Sequence, residues 1–291
     1  MTDPGPVLVV GGTGMLGSQV VSKLLEGGKQ VRALVRPGSD ASRLEELGAA
    51  IARGDMMDPE SLGHAMDGID AVITSAAGYT HHREGDSPVI DTVGNTNLVD
   101  AASRAGIRRF VLTSILTCDQ TPDVPHFWHK KLAEDRLEEL GVPFLALRPG
   151  AFLEQITRFG DPFSAGRLTS FGSPSVPLTY VLASDLAGYL AAAVDASGVE
   201  GQRIDIGWDR PVSMQDIADI SARMLGREIQ VVVSPISAVN PMAKDLEAMI
   251  DWFGTGRYVA DTSRQREVFG PPPTAEDAVA RLLTSLGHKR D

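Results

Sequence analysis

The stretch "VLVVGGTGMLGSQVV", residues 7–21, sets a wholly apolar run directly before three spaced glycines and then an apolar pattern with helical spacing. "VLVV" at 7–10 has the composition of a strand covered on both faces. Residues 15–25 repeat apolar side chains at the helical period and end at Gly27-Gly28. Gly11, Gly14 and Gly17 thus form G-x-x-G-x-x-G between a first strand and a first helix. A helix N-terminus presents unpaired N–H groups and the positive end of the helix dipole. A pyrophosphate fits there when no Cβ stands in the way. Gly11 would allow the tight turn, Gly14 the close approach of the ligand, and Gly17 close packing of helix on strand. Thr13, Met15 and Leu16 would complete the loop around the pyrophosphate. A bare strand-to-helix turn explains the same glycines, so the surrounding chain has to decide.

Working outward, strand-like and helix-like segments alternate. "QVRALVR" (30–36), "AAIARGD" (49–55), "DAVITSAA" (70–77), "RRFVLTSI" (108–115) and "PFLALRP" (143–149) read as strands. "ASRLEEL" (41–47), "PESLGHAM" (59–66), a long pattern over 89–105 and residues 130–140 read as helices. This order predicts an α/β fold: a doubly wound parallel sheet with helices on both faces. After Pro149 the rhythm breaks. Residues 160–180 are rich in Gly, Pro and Ser and read as loop. "SDLAGYLAAAV" (184–194) reads as a helix capped by Ser184, and residues 202–207 and 228–233 as strands. Residues 213–225 read as a helix opened by a capping box of Ser213 and Asp216, and residues 274–286 as a last helix. The expected division is a dinucleotide-binding domain over 1–155 and a smaller mixed α/β substrate lobe over 156–291, interleaved with the core.

The end of the second strand bears on the choice of dinucleotide. A carboxylate there would bind the ribose 2′-hydroxyl of NAD. Arg36 stands there instead, and a guanidinium pairs with a 2′-phosphate. NADP (NADPH) is therefore favoured over NAD; an exposed strand-end charge is the plainer alternative, and Arg32, inside the strand, is the weaker candidate. Asp55 could accept from the adenine amino group, with Met56 against the ring. Ser75, Ala76 and Ala77 are small enough for the backbone to lie along the cofactor.

Composition narrows the function class. The chain has 291 residues, 43% hydrophobic and 22% charged, with a net charge of −11. That charge argues against nucleic acid and against an anionic membrane surface. The one cysteine, Cys118, fits a reducing, cytoplasmic setting, and the N-terminus lacks the pattern of a signal peptide. No apolar run approaches the roughly 18 residues of a membrane span. His81-His82 has no third ligand at useful spacing, so no metal site is expected.

Taken in order, G-G-T-G-M-L-G, V-R-A-L-V-R, R-G-D-M-M-D, T-S-A-A, F-V-L-T-S, K-x-x-x-E and L-R-P-G-A-F resemble an atypical, NmrA-like short-chain dehydrogenase/reductase over residues 7 to about 155. "YVLASDLA" (180–187) is similar to that family too. The resemblance implies an NAD(P)-binding Rossmann fold. It also implies a Ser at the end of the fifth strand that orients a carbonyl, and a Tyr-x-x-x-Lys that passes a proton and holds the nicotinamide ribose. Ser114 and Lys130 match those positions, but His126 stands where the Tyr would be. Three readings follow: His126 or His129 donates the proton, water or the substrate supplies it, or the site binds cofactor without chemistry. Glu134 keeps the K-x-x-x-E spacing, or is a surface partner of Lys130 at i+4. Pro149 and Gly150 would expose backbone to the nicotinamide, and Ala151 and Phe152 would line its far side; a strand-to-helix corner with Phe152 in the core is the alternative. The expected activity is hydride transfer to a carbonyl, imine or activated double bond of a small apolar or aromatic molecule, by a monomer or homodimer. A dinucleotide-sensing regulator of a protein partner is the rival, and a nucleotide-sugar epimerase or dehydratase ranks below both.

Overall fold

The computed structural model describes residues 5–78, 87–158, 160–235 and 244–288. His81 and His82 lie outside them. The chain divides into two compact units, one of residues 1–148 and 183–204, the other of 149–182 and 205–291.

The first unit carries the sheet. Its strands are β1 (Val7–Val10), β2 (Val31–Val35), β3 (Ala50–Arg53), β4 (Ala71–Thr74), β5 (Arg109–Thr113), β6 (Phe144–Pro149) and β10 (Gln202–Ile206), in spatial order β3-β2-β1-β4-β5-β6-β10. Each neighbouring pair from β3 through β6 is parallel. Parallel strands need crossovers, and here helices supply them: α1 (Met15–Glu26), α2 (Ser42–Glu46), α3 (Pro59–Met66), α4 (Asn95–Ala105) and α5 (Pro125–Glu139). Strands β1, β4, β5 and β6 are buried at every residue, which is why they read as mostly apolar runs. Pro59 opens α3 behind an Asp58 cap that accepts from Glu60 N–H. The strand order reverses between β1 and β4, so the crevice at their carboxyl ends is where such a sheet takes a ligand.

Two local expectations change. The long pattern over 89–105 is α4 preceded by an eight-residue π-helical turn, Ser87–Gly94. Helix α6 (Ala183–Ala192) starts before Ser184, so that serine is no N-cap. With β10, α6 belongs to the first unit, where it packs on α1, and not to the smaller lobe expected over 156–291.

The second unit gathers around Leu153, Phe163, Tyr180, Trp208, Ile217 and Val279. Residues 160–180, expected as loop, hold β8 (Arg167–Ser170), which pairs in parallel with β11 (Gln230–Val233). They also hold Tyr180 at the start of β9 (Tyr180–Val181), paired with β7 (Ala151–Phe152). Helix α7 (Met214–Leu225) carries the capping box of Ser213 and Asp216. Helix α10 (Ala275–Ser285) is the last, after α8 (Lys244–Gly254) and α9 (Ser263–Phe269), neither of which the sequence reading anticipated.

Candidate active site

The glycine turn sits at the reversal point. Gly11 has φ +86°, and a Cβ on it would stand 2.9 Å from both Ala76 N and Ser75 Oγ. A Cβ on Gly17 would stand 2.1 Å from Gly11 O, so only glycine lets α1 begin this close to β1. Gly14 N–H donates to Gly11 O at 3.0 Å. A Cβ on Gly14 would meet nothing but that carbonyl, at 3.3 Å, and its outer side is open. Thr13, Gly14 and Met15 are exposed and Leu16 is half-buried. The first turn of α1 has no acidic residue and no side-chain cap, so its amides and dipole face the opening uncompensated. A diphosphate fits this cradle.

Arg36 is exposed just past β2. Arg53, at the end of β3 and paired in register with Val35, donates from Nη1 to Ser39 O at 2.7 Å and to Arg36 O at 3.4 Å. The sequence reading passed over Arg53; a second cation at the end of the adjacent strand was the available signal. Arg32 is committed elsewhere, to Ala65 O and Asp67 O. Asp55 is half-buried and its carboxylate accepts from Met57 N–H at 2.9 Å. Met56, expected against an adenine ring, is turned into the core and packs under Gly94, while Met57 is the exposed methionine. Ser75, Ala76 and Ala77 leave β4 half-buried beside the glycine turn, with Ser75 N–H on Val10 O at 3.0 Å.

Helix α5 turns His126, Lys130 and Glu134, at i, i+4 and i+8, toward the interior. Lys130 donates from Nζ to Ala76 O at 2.7 Å, and its Nζ lies 3.3 Å from Asp91 Oδ1. Asp91 is fully buried on the π-helical turn, and its Oδ2 accepts from Gly78 N–H at 3.1 Å. Sequence reasoning missed Asp91; a lone acid within the apolar "PVIDTVG" was the signal. His129 is half-buried, with Nδ1 hydrogen-bonded to Thr92 Oγ1.

Ser114 and His126, expected to face the substrate, are both buried. Ser114 is 1% exposed, and its hydroxyl donates to Glu134 Oε1 at 2.6 Å. Glu134 is no surface partner of Lys130. It is fully buried and accepts from Arg148 Nε at 3.0 Å and Nη2 at 2.6 Å, and from Arg203 Nε at 2.9 Å. Arg148 takes this carboxylate in the forked geometry that a carboxylate matches, and Arg203 adds a third bond through Nε while its Nη2 donates to Glu138. His126 is 1% exposed, and burial pushes its pKa down to about 4. The charges of His129 and Lys130 act in the same direction, against Asp91. Its imidazole is therefore neutral at pH 7, a poor proton donor. Cys118 lies beside Ser114, and burial pushes its thiol up to about 12, so it is inert.

Pro149, Gly150, Ala151 and Phe152 follow Arg148 into the second unit. A Cβ on Gly150 would collide with Thr179 O at 2.3 Å, so contact within the protein suffices to require that glycine. Pro149 O accepts from Tyr258 Oη at 3.4 Å, and Ala151 and Phe152 are half-buried in β7. Among the described residues there is no cluster of His, Cys, Asp or Glu that could hold a metal, and no helix is long and apolar enough to cross a membrane.

Comparison with known proteins agrees with this fold. A photosystem II assembly factor from Synechocystis is 30% identical over 284 residues, covering 92% of this chain and 86% of the relative. An NAD(P)H azoreductase from Xenophilus azovorans is 26% identical, covering 96% and 91%. Among solved structures, triphenylmethane reductase of Citrobacter complexed with NADP(H) superposes with a TM-score of 0.79 at 21% identity, covering 94% of this chain and 99% of that one. The model of the NmrA-like family matches residues 4–270, and the chain belongs to that family.

Proposed function

We propose that this protein is an NADP(H)-dependent reductase that delivers hydride to a carbonyl, imine, azo or activated double bond of a small apolar or aromatic molecule. The observation that carries the reading is the uncapped, acid-free start of α1, open outside Gly14, with the exposed guanidinium of Arg36 at the end of the neighbouring strand. In this reading the amides of residues 13–16 hold the diphosphate, Arg36 the 2′-phosphate and Lys130 the nicotinamide ribose. Bound NADPH supplies the hydride. Ser75, Ala76 and Ala77 flank the cofactor with small side chains, and Asp55 stands at the adenine end. The proton comes from water, because Ser114 is committed to Glu134 and His126 is buried and neutral. The azoreductase relative and the NADP(H)-bound structural neighbour support the reaction class.

Three observations favour a second reading. The Tyr is replaced, Ser114 is engaged inside the protein, and a 30% identical relative is named an assembly factor. These fit a protein that binds the dinucleotide to control a partner. The test is NADPH and NADH titration followed by a screen of quinones, aromatic ketones, imines and azo dyes. Turnover that falls about a hundredfold in Lys130→Ala supports the reductase. Tight NADPH binding without turnover, with a partner that co-purifies, supports the second reading.

A further inference from the structure

We propose that Asp91 is the positioning residue of this site: its buried carboxylate aims the Lys130 ammonium and ties it to the loop along which the cofactor lies. The inference rests on the NADP(H) reading above.

The side chain of Lys130 is 4% exposed and that of Asp91 is 0% exposed. A charge buried this far is sustained only by a partner and by hydrogen bonds. Each supplies the other, at 3.3 Å between Nζ and Oδ1. Both also grip the same loop: Lys130 donates to Ala76 O at 2.7 Å, and Asp91 Oδ2 accepts from Gly78 N–H at 3.1 Å. That loop is the one against which Gly11 packs, since a Cβ on Gly11 would touch Ala76 N. A four-carbon lysine stem has many rotamers, and the Ala76 carbonyl together with the Asp91 charge selects among them.

Asp91 is itself held. Its carbonyl accepts from Asn95 Nδ2 at 3.0 Å, and Asn95 is 1% exposed. It lies on the π-helical turn, a helical irregularity that recurs at functional sites. The next residue, Thr92, engages His129, the neighbour of Lys130. Two consecutive residues of the π-helical turn thus grip two consecutive residues of α5. Asp91 acts on the dinucleotide only through Lys130.

The experiment is a fluorescence titration with NADPH, alongside thermal melts, of the wild type, Asp91→Asn, Lys130→Met and the double variant. Asp91→Asn is expected to weaken NADPH about tenfold and to cost nothing further in the Lys130→Met background. A residue that only supports the fold would lower the melting temperature yet leave the two affinity losses independent. An Asp91→Asn affinity within about twofold of wild type, or a loss that recurs in full beside Lys130→Met, overturns the assignment. If Asp91→Asn does not fold, Asp91→Glu carries the same comparison: it keeps the charge but moves it by one methylene, with an expected loss of about threefold that vanishes in the Lys130→Met background. No loss in Asp91→Glu, or one that persists there, overturns the assignment equally. Failure of the wild type to bind NADPH overturns the cofactor reading and this inference with it; wild-type binding with an unaffected Asp91 variant overturns this inference alone.

Discussion

Arg36 and Arg53 stand at the carboxyl ends of neighbouring strands, and their side chains have different work. Arg53 braces the turn from 36 to 39 through two backbone carbonyls, while the exposed Arg36 is the cation the cofactor reading uses. Arg36→Ala is expected to weaken NADPH roughly tenfold to a hundredfold and NADH far less, since a hydrogen bond to a charged group contributes about 1.5–3 kcal/mol. Equal losses by calorimetry would mean that no 2′-phosphate is read. His126 offers a second residue-scale prediction. Its folded pKa lies near 4, below the ordinary value near 6.5, so the unfolded chain binds more protons between those values. Stability from this group is complete above about pH 6.5 and is lost as pH falls toward 4, by on the order of 3 kcal/mol. Denaturant titration between pH 4 and 7 should show this slope, and His126→Gln should flatten it.

At the scale of elements, α5 and the α1 start obey opposite demands. The buried face of α5 carries three polar residues: His126, Lys130 with Asp91 on the π-helical turn, and Glu134 with Arg148 on β6 and Arg203 on β10. Glu134→Ala would leave Arg148 buried without this partner and is expected to cost about 3–5 kcal/mol in urea unfolding. A loss below about 1 kcal/mol would show that Asp119, which Arg148 also engages at 2.8 Å, satisfies it alone. The start of α1 instead depends on missing atoms. Gly17→Ala would drive a methyl into Gly11 O and is expected to prevent folding or cost several kcal/mol, whereas Gly14→Ala should fold and lose NADPH affinity. Gly14→Ala that binds NADPH as the wild type does would remove the cradle from the reading.

For the molecule as a whole, the cofactor reading predicts a linkage effect. NADPH at a hundred times its Kd should stabilise the native protein by about 2.7 kcal/mol, and NADH at the same concentration by less. A melting temperature indifferent to both nucleotides would count against the dinucleotide site itself. The net charge of −11 leaves the exposed Arg36 and the α1 dipole as local exceptions in an acidic molecule. Binding of the anionic cofactor should accordingly weaken as salt screens those local charges.

The sequence alone determined the alternation of buried strands and helices through Pro149 and the glycine turn, because periodicity, glycine sterics and helix-end amides are local properties. It also marked Arg36, the exposed cation just past β2 that the cofactor reading uses. Only the tertiary structure decided which polar residues face inward. Glu134 meets Arg203, 69 residues away, and accepts from the Ser114 hydroxyl as well. Asp91 meets Lys130 through a π-helical turn that the helical pattern concealed. The return of α6 and β10 to the first unit was equally hidden. Burial and charge pairing are set by neighbours distant in the chain, and a one-dimensional pattern carries no measure of that distance.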